Sequence, residues 1–296
     1  MISIEGYEFP PFDLERLLRT VFRFDRNESF GVFTDLPDPA AVEGFAYLGH
    51  PGLGPQKLAF TVLYSGLLRS SLGSATFYAY RETGGSNLDL PDDVVTSVGR
   101  ALPLRDALAR HSISIFMGRY SATAPATALA KEMGFRGATM HGANDVVLAT
   151  GLSVDYEQVS ARAERLRRAM TRADSARMQW GVRGREVSLE IALGGQEAQK
   201  SHGLVRTLGD IANLPAGEVY FVPTGAEGLM PMKFEDAAGT IALFRVKDRG
   251  IVALEDLVQG DREEVERFLE VVRYDPSAGQ ISELGLGTQS LPWAGA

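Results

Sequence analysis

Two acidic residues in the second half of the chain carry a side chain that can bind metal ions, and both lie beside glycine-rich segments. Glu218 follows the segment 213–217, Asn-Leu-Pro-Ala-Gly, and Glu283 precedes the segment 284–288, Leu-Gly-Leu-Gly-Thr. Glycine-rich backbone next to an apolar run can hold a carboxylate rigidly and leave room for an ion. Carboxylates from two separate segments can flank a pair of metal ions about 3.5–4 Å apart. Each glutamate taken alone is also typical of an exposed turn, and their spacing is not diagnostic.

The histidines do not extend this pair into a recognisable metal motif. None of them forms a His-x-x-x-His or Glu-x-x-His pattern, and we interpret all four as structural or surface residues: His50, His111, His141 and His202. The chain has no cysteine, so any metal ion must be bound by oxygen and imidazole nitrogen. A catalytic zinc ion usually has three protein ligands, so two glutamates alone are expected to bind metal weakly.

Other catalytic motifs are missing from the sequence. The glycine-rich segment 49–54 has the spacing of neither a phosphate-binding loop nor a dinucleotide-binding turn. Gly84 and Gly85, close to Arg81, are typical of a turn. The sequence contains no Gly-x-Ser-x-Gly motif of a serine hydrolase. It therefore favours neither nucleotide chemistry nor a covalent nucleophile.

Three segments around the two glutamates resemble the aminopeptidase T family of leucyl aminopeptidases. Residues 209–219, Gly-Asp-Ile-Ala-Asn-Leu-Pro-Ala-Gly-Glu-Val, resemble the family signature, and residues 283–288 resemble its second acidic motif. The segment 234–240, Phe-Glu-Asp-Ala-Ala-Gly-Thr, is a looser match. The motifs that carry the resemblance lie within residues 178–288. In the first half of the chain, the resemblance rests only on an α/β pattern that is compatible with the family.

This resemblance implies a metal-dependent enzyme that removes the N-terminal residue of a peptide. Glu218 and Glu283 would be catalytic residues and ligands of two divalent metal ions, which would be zinc, cobalt or manganese. The ions would polarise the scissile carbonyl and lower the pKa of a bridging water, from which one carboxylate takes a proton. Members of the family are commonly dimers, so the resemblance also implies a homodimer.

The resemblance further implies that the chain is truncated at its C-terminus. In the family, later motifs supply histidines and an aspartate to the same metal ions, with a tyrosine near them. These motifs would lie beyond Thr288, and the sequence ends at Ala296. We therefore expect an incomplete metal site, in which Glu218 and Glu283 provide only part of the ligands.

Two other functions are compatible with the same sequence. One is a non-haem iron dioxygenase that opens dihydroxypyridine rings. This enzyme is similar in fold to the peptidase family and binds one iron through two histidines and a carboxylate. Those ligands would also lie beyond Thr288, and the number and kind of metal ions would distinguish this enzyme from the peptidase. The other is a non-catalytic binding or oligomerisation module, which would fold well without binding metal tightly.

The elements of the first half alternate between apolar runs of strand length and helix-like segments. The predicted strands are 30–33, 75–80, 113–117 and 137–140, and the predicted helices are 57–68, 94–109, 123–133 and 156–173. Alternation of strand and helix favours a parallel sheet with helices on its faces. The sequence therefore predicts an α/β fold with an N-terminal parallel-sheet domain over residues 1–175.

After Ser175 the pattern changes to short β-rich runs separated by glycines and polar turns. The predicted strands are 178–182, 187–193, 219–223 and 240–246, and one helix is predicted at 262–272. Asp261 and Glu264 form a capping box at the start of this helix. The sequence therefore predicts a second, mostly β (α+β) metal-binding domain over residues 176–296.

Composition narrows the possible partners and the compartment. The chain of 296 residues has a formal net charge of −8, which disfavours a nucleic-acid partner. A basic cluster between residues 162 and 172 lies on the polar face of a predicted helix, so we interpret it as a solvated face. The N-terminal segment does not have the pattern of a signal peptide, and no apolar run in the sequence has membrane-spanning length. We therefore predict a cytoplasmic protein with neither a nucleic-acid nor a membrane partner, and the resemblance to the peptidase family implies a peptide substrate.

Overall fold

The computed structural model describes residues 2–4, 7–24, 27–70 and 72–289. The chain divides into two units. Unit 1 comprises residues 1–163, 201–217 and 288–296, and unit 2 comprises residues 164–200 and 218–287. The predicted division between residues 175 and 176 stays a prediction. The segment 290–296, to which the expected truncation refers, lies outside the described residues.

A seven-stranded sheet forms the centre of unit 1. The first two strands of the chain, β1 (Ile2–Ile4) and β2 (Tyr7–Phe9), form a separate antiparallel pair. The sheet contains β3 (Ser29–Leu36), β4 (Ser74–Arg81), β5 (Asp93–Thr96), β6 (Ala101–Pro103), β7 (Ile113–Phe116), β8 (Arg136–Thr139) and β12 (Ile211–Asn213), in the order β12-β8-β7-β3-β4-β5-β6. Strands β12, β8, β7, β3 and β4 are parallel, and β5 and β6 are antiparallel. The predicted parallel sheet is therefore confirmed.

Helices lie on the faces of this sheet, as the sequence predicts. They are α1 (Leu14–Phe22), α2 (Gly54–Leu58), α3 (Ser65–Arg69), α4 (Leu104–Leu108), α5 (Thr123–Met133), α6 (Asp145–Ala149) and α7 (Tyr156–Met170), which begins in unit 1 and ends in unit 2. A π-helical segment, Ala59–Tyr64, joins α2 to α3, and 3-10 segments form at Pro39–Gly49 and Gly151–Ser153. Strand β3 is buried along almost its whole length, because side chains of two hydrophobic clusters cover its two faces.

One predicted helix is wrong. The segment 94–109 contains strands β5 and β6 followed by the short helix α4. Gly99 adopts a φ of 75° in the turn between the two strands, and Pro103 stands immediately before α4. A residue with positive φ interrupts a helix, and proline favours a helix start, so the apolar spacing alone was misleading here.

The order of the strands creates a switch point in unit 1. After β3 the chain moves to β4 on one side, and it later returns to β7 on the other side of β3. In open α/β sheets, ligands bind outside the carboxyl ends of the strands at such a reversal of direction. The carboxyl ends of β3 and β7 are therefore a place where buried polar groups can have a function.

Two arginines bind the last carbonyls of α1. Arg136 donates to the carbonyl oxygen of Phe22 at 2.7 Å and forms a partly buried ion pair with Glu28. Arg206 donates to the carbonyl oxygens of Val21 at 3.0 Å and Thr20 at 2.7 Å. Cations at a helix C-terminus satisfy the unpaired carbonyls and interact favourably with the helix dipole. These contacts join α1 to β8 and to the segment before β12.

Unit 2 contains a five-stranded antiparallel sheet, a three-stranded sheet and helix α8 (Arg262–Tyr274). A five-stranded sheet has the order β16-β15-β14-β10-β9, with β9 (Ser175–Val182), β10 (Arg185–Ala192), β14 (Gly225–Lys233), β15 (Ile241–Lys247) and β16 (Gly250–Gln259). A three-stranded sheet has the order β11-β13-β17, with β11 (Gln199–Ser201), β13 (Glu218–Phe221) and β17 (Leu284–Gly287). Helix α8 (Arg262–Tyr274) is capped by Asp261, and a 3-10 segment follows at Pro276–Gly279. The predicted β-rich second part is confirmed.

Arg183 connects the two edge strands of the five-stranded sheet. Arg183 and Gly184 form the tight turn between β9 and β10, with φ values of 49° and 77°. The Arg183 guanidinium donates to Asp256 at 3.2 Å and to the carbonyl oxygens of Leu257, at 3.1 Å, and Val258 on β16. A side chain that binds the outward carbonyls of an edge strand protects that edge from pairing with another chain.

We expect Arg183→Ala to destabilise unit 2. The loss should be about 1 kcal/mol, because charged hydrogen bonds stabilise a fold by more than neutral ones but this side chain is half exposed. Urea unfolding monitored by tryptophan fluorescence measures the change, with Trp293→Phe as the common background so that only Trp180 reports. Arg177→Ala is the matched control, since its partner Glu190 is exposed on the neighbouring strand. Equal midpoints for Arg183→Ala and the unchanged chain would show that the connection contributes nothing.

Candidate functional site

The two sequence-predicted glutamates lie on one face of the β13–β17 ladder. In the antiparallel register, Glu218 pairs with Gly287 and Tyr220 pairs with Gly285. Glu283 immediately precedes β17, so it shares a face with Gly285 and Gly287 because side chains alternate along a strand. The structure therefore brings together the two segments that the sequence analysis singled out.

Glycines provide the space that the two carboxylates occupy. A Cβ atom on Gly285 would lie 3.2 Å from Oε2 of Glu218 and 3.4 Å from Oε1 of Glu283. Both carboxylates therefore approach the same point above the backbone of β17. A Cβ atom on Gly287 would meet no other atom within 4 Å, so the strand also leaves open space beside the pair. The opposite face of the ladder is apolar, with Val219 and Phe221 fully buried.

Burial and charge raise the pKa of Glu218 above its ordinary value. Partial burial is the larger cause, because removing a carboxylate from water disfavours its charged form. The negative charge of Glu283 is the second cause. The pair therefore favours binding of a proton, or of another cation, between its two carboxylates.

Tyr220 belongs to this face, although the sequence analysis did not select it as a site residue. It lies two residues after Glu218 on β13 and is half-buried. The alternation of strand side chains is the signal that finds it, once the segment is known to be a strand. Its phenol adds a hydrogen-bond donor and acceptor beside two carboxylates.

None of the histidines contributes to this site as a metal ligand. His50 and His202 accept backbone N–H bonds from residues two positions later, as in turns, and His141 is exposed. His111 is hydrogen-bonded through Nε2 to the Tyr78 hydroxyl at 2.9 Å. Among the described residues, no group of three or more His, Asp or Glu side chains can hold a metal ion. The predicted pair of zinc, cobalt or manganese ions therefore has no support.

We expect His111→Gln to change the pH dependence of stability. Burial, and then the charge of Arg110, lower the pKa of His111 to about 4, against 6.5 for an ordinary histidine. The unfolded chain then binds more protons between these values, so stability falls as the pH decreases from 6.5 to 4. We expect protonation of His111 to lower the free energy of unfolding by about 1 kcal/mol over this interval, after a discount for the partial exposure of the ring.

Thermal unfolding of the chain at pH 4.5 and 7 measures this effect. His111→Gln should lose less stability than the unchanged chain when the pH is lowered, and His141→Gln, which changes an exposed histidine, should behave like the unchanged chain. The same loss in all three proteins would mean that His111 titrates like an ordinary histidine.

No helix among the described residues is long and apolar enough to cross a membrane. The cytoplasmic location and the homodimer stay predictions.

The structure of a 2,5-dihydroxypyridine dioxygenase from Pseudomonas putida KT2440 is similar to this chain. The TM-score is 0.59, and the match covers 93% of this chain and 75% of that chain at 16% sequence identity. At that identity the similarity shows the fold alone. No protein-family model and no curated protein sequence matches the chain.

These comparisons correct the identification as an aminopeptidase T relative, which is wrong. The similar structure is a dioxygenase, and no peptidase family model matches. The assignment as a metallo-aminopeptidase, hydrolase or protease is wrong for the same reason. The glycine and glutamate pattern that suggested it has a steric cause at one position, because a side chain at Gly285 on β17 would meet the carboxylates of Glu218 and Glu283.

Proposed function

We propose that this chain takes part in the oxygen-dependent opening of a hydroxylated pyridine ring. The observation that carries the proposal is the similarity in fold to the 2,5-dihydroxypyridine dioxygenase, which extends over 93% of the chain. A likeness of this extent includes both the parallel sheet of unit 1 and the β-rich unit 2. It favours the dioxygenase, which the sequence already left open as an alternative to the peptidase.

In this proposal, Glu218 and Glu283 handle the proton of a ring hydroxyl. A carboxylate is an effective general base when its pKa is raised towards the working pH, and burial together with Glu283 raises that of Glu218. Glu283 keeps its role as the neighbouring charge, and the Tyr220 phenol can hydrogen-bond a second ring substituent. The open space at Gly287 is the side from which a flat ring can approach.

The iron of such dioxygenases does not fit the described residues. A facial triad requires two histidines and a carboxylate that converge on one point. The described part of the chain holds no group of three such side chains, and His202 and His141 take part in no such group. We therefore assign no chemical step to iron, and the proposed roles of Glu218 and Glu283 concern proton transfer alone.

A non-catalytic binding module is the second candidate. The missing iron ligands favour this candidate, because the described residues present two carboxylates and a phenol without a third metal-binding side chain. Such a module would bind a hydroxylated ring through hydrogen bonds without consuming oxygen. Both candidates therefore bind a hydroxylated ring, but only the dioxygenase consumes oxygen and opens that ring.

Oxygen consumption with 2,5-dihydroxypyridine tests the proposal. The purified chain is mixed with this compound in an oxygen electrode, once with added ferrous iron and once with a chelator, and the ring absorbance is followed in parallel. Equal molar loss of oxygen and of ring absorbance, above the rate without protein in the same condition, is the expected result. A folded chain that binds the compound in calorimetry but consumes no oxygen in either condition would establish the binding module instead.

A further inference from the structure

Strand β9 forms an edge of the five-stranded sheet in unit 2, and within the described part of the chain it pairs with β10 alone. Most of its residues are exposed, namely Ser175, Arg177, Met178, Gln179 and Gly181. Its one charged side chain, Arg177, is bound to Glu190 on β10. The other edge strand, β16, is protected by Arg183, whereas β9 has no comparable protection. A long exposed edge of this kind is a template for a further strand.

The register with β10 determines which backbone groups of β9 face outwards. Ser175 pairs with Ala192, and the bond from the Leu193 N–H to the Asp174 carbonyl oxygen, at 3.0 Å, continues the same register. Hydrogen-bonded and non-hydrogen-bonded pairs alternate along an antiparallel ladder. The odd-numbered residues therefore direct their N–H and C=O groups away from β10, and they are Ser175, Arg177, Gln179 and Gly181. No described residue binds these backbone groups.

The apolar face of the sheet is incomplete at the same edge. Leu189 on β10 is only 1% exposed, whereas its register partner Met178 on β9 is 37% exposed. Trp180 packs against the cluster that contains Val187 and remains half-buried. A further strand beside β9 would cover Met178 and Trp180, so this edge offers apolar contacts as well as hydrogen bonds.

The sequence of β9 is complementary to itself in one antiparallel register. With Met178 on a two-fold axis, its side chain meets the same side chain of a second copy, and Trp180 lies opposite Ala176 of that copy. A large ring thus faces a small side chain. On the polar face, Arg177 lies opposite Gln179, so no two like charges are opposed. Residues with outward backbone groups also lie opposite one another, as a hydrogen-bonded ladder requires.

We propose that β9 pairs in this register with β9 of a second copy of the chain, which joins two five-stranded sheets into one. The contact is isologous, because each copy contributes the same surface. It satisfies the outward backbone groups and covers Met178. A strand of another sequence would reach the same backbone groups but would lack the match between Trp180 and Ala176. The contact involves unit 2 alone and does not depend on the proposed function.

Cysteine cross-linking tests the register, because the chain has no cysteine of its own. Opposite residues of a non-hydrogen-bonded pair have Cα atoms about 4.5 Å apart, which a disulfide can span. Oxidation with diamide should therefore convert Met178→Cys into a covalent dimer on non-reducing electrophoresis. Ser175→Cys is the control, because the two copies of residue 175 would lie about 20 Å apart along the paired strands. Cross-linking of both variants, or of neither, would overturn the proposed register.

Sedimentation over a range of protein concentrations tests the contact without oxidation. We expect the unchanged chain to dimerise, and Met178→Lys or Met178→Glu alone to stay monomeric because each opposes like charges on the axis. An equimolar mixture of these two variants should dimerise again. Val252→Lys, which changes an exposed residue of β16, should dimerise like the unchanged chain. An unchanged chain that stays monomeric, or a dimer that persists in Met178→Lys, would overturn the proposal.

A proline on the outer edge separates backbone pairing from side-chain contacts. Gln179→Pro removes an outward N–H without breaking the ladder to β10, and proline is tolerated at such edge positions. Two hydrogen bonds are lost per dimer, so the dissociation constant should rise about 10- to 100-fold. Gln179→Ala keeps the N–H and should dimerise almost normally. Equal dissociation constants for Gln179→Pro and Gln179→Ala, with native far-ultraviolet circular dichroism in both, would overturn pairing through this edge.

Discussion

Replacing Arg136 with methionine is expected to lower the free energy of unfolding of unit 1 by about 3 to 5 kcal/mol. Arg136 and Glu28 form an ion pair whose side chains are only 11% and 18% exposed. Removal of the arginine leaves the Glu28 charge without this partner in a poorly hydrated place. It also removes the donor to the Phe22 carbonyl at the end of α1. Urea unfolding, monitored by far-ultraviolet circular dichroism, measures the loss.

Two further variants separate the ion pair from general damage. Arg105→Met breaks the pair with Glu132, in which both side chains are more than half exposed, and should cost far less. The double variant Glu28→Gln with Arg136→Met should recover part of the stability, because it removes the charge left behind. Similar losses for Arg105→Met and Arg136→Met would contradict the role assigned to burial.

Glu218→Gln is expected to lower the rate of ring opening by a factor of about 100 to 10,000, the usual contribution of a general base. The amide keeps the shape of the side chain but cannot accept a proton from a ring hydroxyl. Glu283→Gln should have a smaller effect, since it only removes the charge that helps to raise the pKa of Glu218. Initial rates of oxygen consumption between pH 5 and 9 measure both variants.

The controls use other residues of unit 2. Glu186→Gln on β10 changes an exposed carboxylate that is hydrogen-bonded to Gln179, and should leave the rate unchanged. Gly285→Val would place a side chain against both carboxylates and should reduce the rate as strongly as Glu218→Gln. Full activity of Glu218→Gln at all pH values would exclude the glutamate as the base.

Local sequence signals predicted much of the fold. Pro125 near the start and Gly134 just after the end identified α5, and the capping residue Asp261 identified the start of α8. Signals of this kind are read within a few residues. The failure at residues 94–109 came from weighing apolar spacing above Gly99 and Pro103, which were visible in the sequence.

Contacts between distant segments could not be predicted from local sequence patterns. Arg136 meets Phe22 more than a hundred residues away, and Arg183 meets Val258 across the sheet. No periodicity reports such a contact, because it depends on how strands are ordered. The buried position of Gln56 against Asp35 has the same origin, since a glutamine in a short helix carries no sign of its partner.

The candidate site was found in part. The glycines next to Glu218 and Glu283 did indicate two turn-forming segments that hold carboxylates, and the β13–β17 register places them together. The chemistry did not follow from that pattern, because close approach at Gly285 serves any reaction or ligand that needs an acidic pair. Family resemblance supplied the peptidase assignment, and it was this assignment that the comparisons overturned.

Titration of Glu218 tests the central claim, that Glu218 and Glu283 form one coupled site, most directly. Carbon-13 labelled glutamate gives a carboxyl resonance for each residue, which Glu218→Gln assigns. We predict that Glu218 titrates above its ordinary pKa of 4.5 and that its pKa falls in Glu283→Gln. A Glu218 resonance that titrates at the ordinary value, unaffected by Glu283→Gln, would show two independent surface carboxylates and would contradict the account.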